Sequence, residues 1–162
     1  MTSGEAINES GSGAGVYLRD FADGHLHAFY YREGQFADLG RADELYSETR
    51  SINDDGQVVG SWGKEIGTEL IRGGFLYHNG VRTEIQDLLP PNSGWQIIKA
   101  ECINNQGQIV GAGIFNNQEH PYILTPVKKK HSIVWSARQA AVPIWSTLPG
   151  GQEQSDEEKD RD

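Results

Sequence analysis

The chain is short of several residue types, and each shortage excludes a class of protein. It has one cysteine and one methionine in 162 residues, and no stretch approaches the 18 or more apolar residues of a membrane-spanning helix. Cys102 has no second cysteine to pair with, and no motif ties it to a histidine and an acid, so we expect it to be inert and partly buried. The sequence therefore predicts neither a disulfide scaffold nor insertion into a membrane.

Positive charge is also scarce. The 14 Lys and Arg residues face 23 Asp and Glu residues, which gives a formal net charge of −9. A nucleic-acid partner is not expected, because phosphate backbones select basic surfaces. The small basic cluster from Lys128 to His131 has two interpretations, a solvated domain end or a contact for phosphate or an anionic lipid.

Motifs of known chemistry are missing as well. The sequence has no phosphate-binding loop and no Gly-x-Ser-x-Gly motif. His25 and His27 have the spacing of two zinc ligands on a strand, but no third ligand has a signature. The segment Asn53-Asp54-Asp55-Gly56 lacks the alternating carboxylates and the distal Glu of an EF-hand, so it reads as a turn. We predict no catalytic residue, no metal and no cofactor.

What the chain does contain is a repeated motif. Ile-Asn, two variable residues, Gly, and a second Gly four residues later occur at residues 7–15, 52–60 and 103–111. An aromatic-centred run follows each copy, centred on Phe29, Phe75 and Tyr122. Two linked motifs that keep their order and a period of about 45 residues indicate copies of one supersecondary unit.

The repeated positions receive structural roles: Ile in the core, Asn and the first Gly in a tight turn, and the second Gly at a close packing contact. The repeat-defining residues are Ile7, Asn8, Gly11, Gly15, His27, Phe29, Gly34, Ile52, Asn53, Gly56, Gly60, Phe75, Gly80, Ile103, Asn104, Gly107, Gly111 and Tyr122.

Each unit reads as two β-hairpins. In the middle copy we predict strands over 48–53, 57–62, 74–78 and 81–88, with Asn79-Gly80 as a two-residue hairpin turn. The first copy has a matching hairpin around Glu33-Gly34. Two hairpins per unit are typical of a four-stranded antiparallel propeller blade, whereas a β-solenoid or a sandwich fits the period less well.

These residues carry a family resemblance. Ile-Asn-x-x-Gly-Gln-[Val/Ile]-Val-Gly occurs at 52–60 and 103–111, and His-Ala-Phe at 27–29 is followed by Gly34 and Asp38-Leu39. Over about residues 5–127 the chain resembles the HAF-type extracellular repeats of bacterial proteins. The resemblance implies a β-propeller-like fold and an exported location, and little about activity. The first copy departs from it at residues 11–15, and the middle copy has Gly-Gly-Phe in place of His-Ala-Phe.

The predicted fold is therefore all-β, a propeller-like array over 1–127 with repeats at about 5–46, 47–97 and 98–127. An irregular extension is predicted at 128–150 and an acidic, disordered tail at 151–162. The third copy lacks the Gly expected after Tyr122, so its fourth strand is either missing or supplied by residues 132–136.

About 2.5 to 3 repeats fall short of the four to eight blades of a closed propeller. Three interpretations stay open: a truncated reading frame, an oligomer that completes the ring, or a small open stack. The 162 residues show no signal peptide, so an exported protein would carry that signal in a missing part. Retention of a truncated product in the cytoplasm is the alternative.

Two functions are compatible with this sequence. The preferred one is a non-catalytic structural or binding module that presents loops to a protein or glycan at a cell surface. The alternative is an extracellular hydrolase or lyase whose propeller active site is supplied by missing blades, with an acid-base pair of carboxylates. The acids at similar offsets before the Ile-Asn motifs are Glu5, Glu48 and Glu101. The aromatic residues that could line a sugar or peptide groove, with core packing as the competing role, are Trp62, Trp95, Tyr30, Tyr31 and Tyr46.

Overall fold

The structure is a computed structural model, which describes residues 2–19, 22, 24–129 and 132–139. Their regular secondary structure is β-strand apart from one short helix, so the all-β prediction is confirmed. The elements are β1 (Thr2–Ile7), β2 (Gly13–Leu18), β3 (Leu26–Arg32), β4 (Gln35–Asp38), β5 (Tyr46–Ile52), β6 (Val58–Ile66), β7 (Glu69–His78), β8 (Val81–Glu84), α1 (Ile85–Leu88), β9 (Trp95–Ile103), β10 (Ile109–Phe115), β11 (Gln118–Lys129) and β12 (Ser132–Gln139).

The strands form three successive four-stranded antiparallel meanders. Each strand pairs with the next along the chain within β1–β4 (meander 1), β5–β8 (meander 2) and β9–β12 (meander 3). A parallel bridge between Leu26 and Tyr46 joins meanders 1 and 2 into one sheet, and meander 3 is a second sheet. Both sheets are open among the described residues.

The short hairpin turns follow from residues that tolerate the left-handed backbone region. Asn79 and Gly80 have φ angles of 51° and 81°, which is the pattern of the two-residue turn whose twist matches that of paired strands. Glu33 and Gly34 adopt the same pattern, at 51° and 82°. The predicted hairpins at both sites are confirmed.

The last strand of meander 2 is shorter than predicted. A strand was expected over 81–88, but β8 ends at Glu84 and α1 follows it. Ile85 and Leu89 are four residues apart, so one helical turn brings both side chains to the same side. They are 0% and 6% exposed and lie in the core against meander 3, which an extended strand would not allow for both.

The last strand of meander 3 is β12. Its pairing with β11 includes Leu124 opposite Ala137 and Thr125 opposite Ser136. The sequence left open whether the third copy lacks its fourth strand or takes it from residues 132–136. The structure shows that this region supplies the strand. The rest of the extension predicted at 128–150, part of the basic cluster, and the tail predicted at 151–162 lie outside the described residues.

Two apolar clusters hold the meanders together. One contains Ala14 and Ala28 of meander 1 with Phe75 of meander 2. The other contains residues of meanders 2 and 3, including Leu76 and Ile109. Successive side chains of a strand point to opposite faces. In β6, Val58 accordingly belongs to the first cluster and Val59 to the second, so meander 2 is packed on both faces.

Candidate functional site

Meander 1 leaves one of its faces exposed. Strand alternation places Ile7, Gly13, Tyr31 and Phe36 in one cross-strand row on the face opposite Ala14 and the core. Ile7, Tyr31 and Phe36 are 76%, 44% and 53% exposed. We call this surface the first end face; it consists of Ile7, Gly13, Gly15, Tyr17, Phe29, Tyr31, Phe36 and Asp38.

Aromatic rings dominate the first end face. The Phe36 ring stacks on Phe29 with 5.3 Å between centroids, and it meets Tyr17 edge-on at 5.1 Å. Beside them lies an open groove of about 460 Å³, with Ile7 and Tyr31 among its lining residues. Exposed apolar surface of this kind marks binding sites in soluble proteins.

His27 lies on the same side of the sheet as Tyr17 and Phe29, but it is buried. Its side chain is 1% exposed, and its Nδ1 lies 2.9 Å from Asp38 Oδ1. The Tyr17 ring meets the imidazole edge-on, and burial together with a hydrogen bond to Asp38 raises the pKa of Tyr17 to about 12. A Cβ at Gly40 would overlap the imidazole ring, so His27 has the environment of a packing residue.

The second exposed face belongs to meander 3. Cys102, Val110 and Ile123 form one cross-strand row; Val110 is 37% exposed and Ile123 is 39% exposed. We call these three residues the second end face. Cys102 was expected to be partly buried and is exposed, because its neighbour Ile103 points into the core and successive strand residues alternate.

The second glycine of each repeated motif lies opposite the repeated aromatic residue. The cross-strand pairs are Gly15 with Phe29, Gly60 with Phe75, and Gly111 with Tyr122. A Cβ at Gly60 would overlap the Glu48 carbonyl oxygen and would lie 2.6 Å from the Phe75 ring. The other two glycines have the same pair of neighbours, a carbonyl oxygen of the preceding strand and the aromatic ring.

A β-bulge accompanies each of these contacts. In β1, β5 and β9 one residue two positions before the repeated Ile has no partner in the register, namely Glu5, Arg50 and Glu101. A bulge bends its strand and redirects the neighbouring groups. The carbonyl oxygen two residues before the bulge residue points at the glycine, and this leaves no room for a side chain there.

The repeated asparagines form a hydrogen-bonded ladder across the three meanders. Asn8 Nδ2 donates to the Asn53 carbonyl oxygen at 2.9 Å, and Asn53 Nδ2 donates to the Asn104 carbonyl oxygen at 3.0 Å. Each Asn Oδ1 also accepts the backbone N–H four residues later, which closes its own turn. The sequence predicted the turns, but the links between them depend on how the meanders stack.

A buried charged cluster lies where the loop after β4 meets β8. Arg82 donates to both carboxylate oxygens of Glu44 at 2.9 Å and 2.6 Å, with side chains 9% and 2% exposed. Glu84 accepts a hydrogen bond from Trp62 Nε1 and pairs with Arg41 at 2.7 Å. Burial raises the pKa of Glu84, although the Arg82 and Arg41 charges oppose the shift.

Sequence reasoning did not identify this cluster. One indication of it lay in the repeat itself. Glu84 lies opposite the repeated aromatic residue Phe75, just as the acid Asp38 lies opposite Phe29. Glu44 and Arg82 belong to no motif, and their pairing depends on the contact between two meanders.

The predicted candidate acids do not form an acid-base pair. Arg50 lies between Glu48 and Glu101, with contacts of 2.7 Å and 3.7 Å, and Lys99 pairs with Glu101 at 2.7 Å. Glu5 lines the same groove as Glu48 and Arg50. The structure thus brings these acids to one region, where the Arg50 guanidinium lies between the carboxylates of Glu48 and Glu101.

The aromatic residues proposed for a ligand groove lie in different places. Trp95 is buried on Phe115, and Tyr30 packs on Tyr77 between meanders 1 and 2. Trp62 is held by its bond to Glu84, while Tyr31 lies on the first end face. The remaining candidate is Tyr46, which packs over Gly63. These side chains do not line one common groove.

Within the described ranges, no group of three or more His, Cys, Asp and Glu side chains could hold a metal ion. No helix in the described part of the chain is long and apolar enough to cross a membrane.

Comparison of the chain with models of known protein families, with curated proteins and with solved structures gave no match. The resemblance to HAF-type repeats thus stays a prediction from the motifs.

Proposed function

We propose that this chain is a non-catalytic structural and binding module of the HAF-type repeat class, built from three stacked propeller-like units, with its end faces as binding surfaces. The asparagine ladder is the observation that carries this proposal. Each repeated Asn closes its own turn, and two of the three also bond the next meander. The repeated residues are thus used in packing and in linking the units.

The meanders support the propeller-like arrangement. Each has four antiparallel strands, and apolar clusters fill the space between consecutive meanders, as between neighbouring blades. An exported location follows only from the resemblance and belongs to the same proposal.

The end faces support a binding role. Most of their large exposed residues are aliphatic or aromatic, and the groove of about 460 Å³ beside the first end face has Ile7, Phe29 and Tyr31 among its lining residues. A protein surface fits this chemistry better than a glycan does, because a glycan also needs several polar partners.

One observation favours a hydrolase as a second candidate. Glu84 has a raised pKa and lines a pocket together with Trp62 and Gln86, so it has the character of a general acid. The second carboxylate of such a pair would be Glu44. Both of its oxygens bind Arg82 in the interior, where a substrate has no access.

The two functions can be separated with a panel of fluorogenic glycosides, neutral and acidic polysaccharides, and peptides. We expect no turnover by the purified chain. The matched variants are Glu84→Gln, in the charged cluster, and Asp54→Asn, at an exposed acid outside it. Turnover that Glu84→Gln abolishes and Asp54→Asn retains would establish the hydrolase instead.

A further inference from the structure

We infer that the first end face binds the second end face of another copy of this chain, so that two copies form a closed ring of six units. The inference rests on the stacked, propeller-like arrangement proposed above and names the partner of its end faces. It commits to a head-to-tail contact, in which two different surfaces meet.

The two end faces are the two halves of an interface that already occurs twice inside the chain. Between meanders 2 and 3, the row of Val59 and Leu76 packs against the row of Ile109 and Leu124. When the meanders are aligned on the second glycine of each motif, Val110 and Ile123 occupy the positions that Val59 and Leu76 occupy in meander 2. Gly13 and Tyr31 on the first end face are the counterparts of Ile109 and Leu124.

Burial shows that each end face lacks a neighbour. Ile7 is 76% exposed, whereas its counterpart Ile103 in meander 3 is 7% exposed. Val110 is 37% exposed, whereas its counterparts Ala14 and Val59 are 1% and 0% exposed. The same position is therefore covered wherever a next meander is present.

The asparagine ladder ends in complementary groups. Among the described residues, the Asn53 and Asn104 carbonyl oxygens each accept two hydrogen bonds, one from their own turn and one from the preceding Asn. Within the described part of the chain, the Asn8 carbonyl oxygen accepts only from its own turn, and Asn104 Nδ2 donates only to Gln108. A second copy placed head to tail would let Asn104 Nδ2 donate to the Asn8 carbonyl oxygen.

The number of units makes two copies the expected assembly. A head-to-tail contact generates a closed ring if its rotation closes and an open filament if it does not. Propellers close with four to eight blades. Three meanders from each of two copies give six units, which lies within that range.

One charge at the contact weakens it. At the bulge positions, Arg50 of meander 2 pairs with Glu101 of meander 3. At the contact between two copies, Glu101 of one copy takes the place of Arg50, and Glu5 of the second copy takes the place of Glu101, so two carboxylates meet. Like charges at that position predict a reversible dimer, and Glu5→Arg should lower its dissociation constant about fivefold.

Sedimentation equilibrium of the full chain, under reducing conditions and from low to high micromolar concentration, tests the inference. We expect the mass to rise from 17.9 kDa to twice that value. Ile7→Lys and Val110→Lys, one on each end face, should each abolish dimers, while a mixture of the two variants should form a one-to-one complex. Leu70→Ser is the matched control, since Leu70 is 48% exposed but lies on neither end face, and it should dimerise normally.

Three outcomes would overturn the inference. A strict monomer at all concentrations means that other partners occupy the end faces, such as a preceding repeat or the last residues of this chain. Dimers of Val110→Lys but not of Ile7→Lys mean that two first end faces meet each other. Growth beyond twice 17.9 kDa means an open filament. Circular dichroism establishes that each variant is folded, and the turnover assay above decides the proposed function separately.

Discussion

At the scale of single residues, the second glycine of each motif determines how close two strands and an aromatic ring can come. Gly60 is enclosed by the Glu48 carbonyl oxygen on one side and the Phe75 ring on the other. The Phe75 ring covers the backbone at Gly60, which the side chain of any other residue would cover itself. Gly60 and Phe75 therefore pack as one unit. Glycine is needed here for space and not for a left-handed backbone.

Gly60→Ala should lower the free energy of unfolding by about 3 kcal/mol, because a methyl group has no room beside the carbonyl oxygen. Gly13→Ala is the matched control. Gly13 also lies in the second strand of a meander, but its nearest neighbour would be 3.8 Å from the new Cβ. We expect that variant to change stability by less than about 0.5 kcal/mol. Equal losses in urea unfolding of the two variants would contradict the packing role.

Glu84 predicts a pH dependence of stability. Burial raises the pKa of Glu84 in the folded state above its ordinary value of 4.5. Above pH 4.5 the unfolded chain therefore releases this proton first, and the folded state loses relative stability as the pH rises. The free energy of unfolding of the wild type minus that of Glu84→Gln should fall as the pH rises above 4.5. A difference that grows over this range, measured by urea unfolding, would show that the pKa is lowered instead.

Much of this residue-level detail could be predicted from the sequence. The Asn-Gly turns depend on local backbone preferences, so Asn79-Gly80 was identified correctly. The exposure of Cys102 was predicted wrongly, although the alternation of side chains and a buried Ile103 would have given it. The environment of His27 could not be predicted, because it depends on Gly40 and Asp38 of other segments.

At the scale of secondary-structure elements, the loop after β4 joins two meanders through one ion pair. Glu44 in this loop reaches Arg82 on β8, and Arg82 also donates to the Leu39 carbonyl oxygen at 2.5 Å. The Arg82 guanidinium lies 4.4 Å from the centre of the Phe75 ring. The ion pair between Glu44 and Arg82 therefore holds the loop after β4 against the face of meander 2 that carries Phe75.

Removing either partner of this pair should be costly, because the other charge stays buried without compensation. We expect Glu44→Gln and Arg82→Met each to lower the free energy of unfolding by about 3 kcal/mol. The double variant should lose at least about 1 kcal/mol less than the sum of the two. Asp43→Asn, which breaks the exposed pair with Lys64, should cause no measurable loss. Additive losses in chemical unfolding would mean that the two side chains act independently.

Helix α1 shows where strand prediction failed at this scale. The run after Val81 contains apolar residues that suit a strand, but the core against meander 3 takes both Ile85 and Leu89. Contacts with a neighbouring meander overrode the local pattern. Tertiary contacts of this kind are not visible in one unit taken alone.

At the scale of the whole molecule, stability depends on how consecutive meanders stack. In repeat architectures each unit contacts mainly its neighbours, so the interfaces between units carry much of the stability. The sequence predicted the hairpins at Glu33-Gly34 and Asn79-Gly80, because each hairpin is specified by its own turn residues. It could not show which faces are exposed, because that depends on how the meanders pack against one another.

The ladder is the most direct link between repeated residues and stacking. Asn8, Asn53 and Asn104 each close their own turn, but only Asn8 and Asn53 donate to the next meander. Asn104→Ala therefore removes a turn alone, and it serves as the control for the other two substitutions.

The central claim, that the repeated residues stack the units, is tested most directly by urea unfolding of these three Asn→Ala variants at a concentration where the chain is monomeric. We expect Asn8→Ala and Asn53→Ala each to cost about 1 kcal/mol more than Asn104→Ala, which is the worth of one hydrogen bond between meanders. Equal losses in all three variants would contradict the claim, because the asparagines would then serve only their own turns.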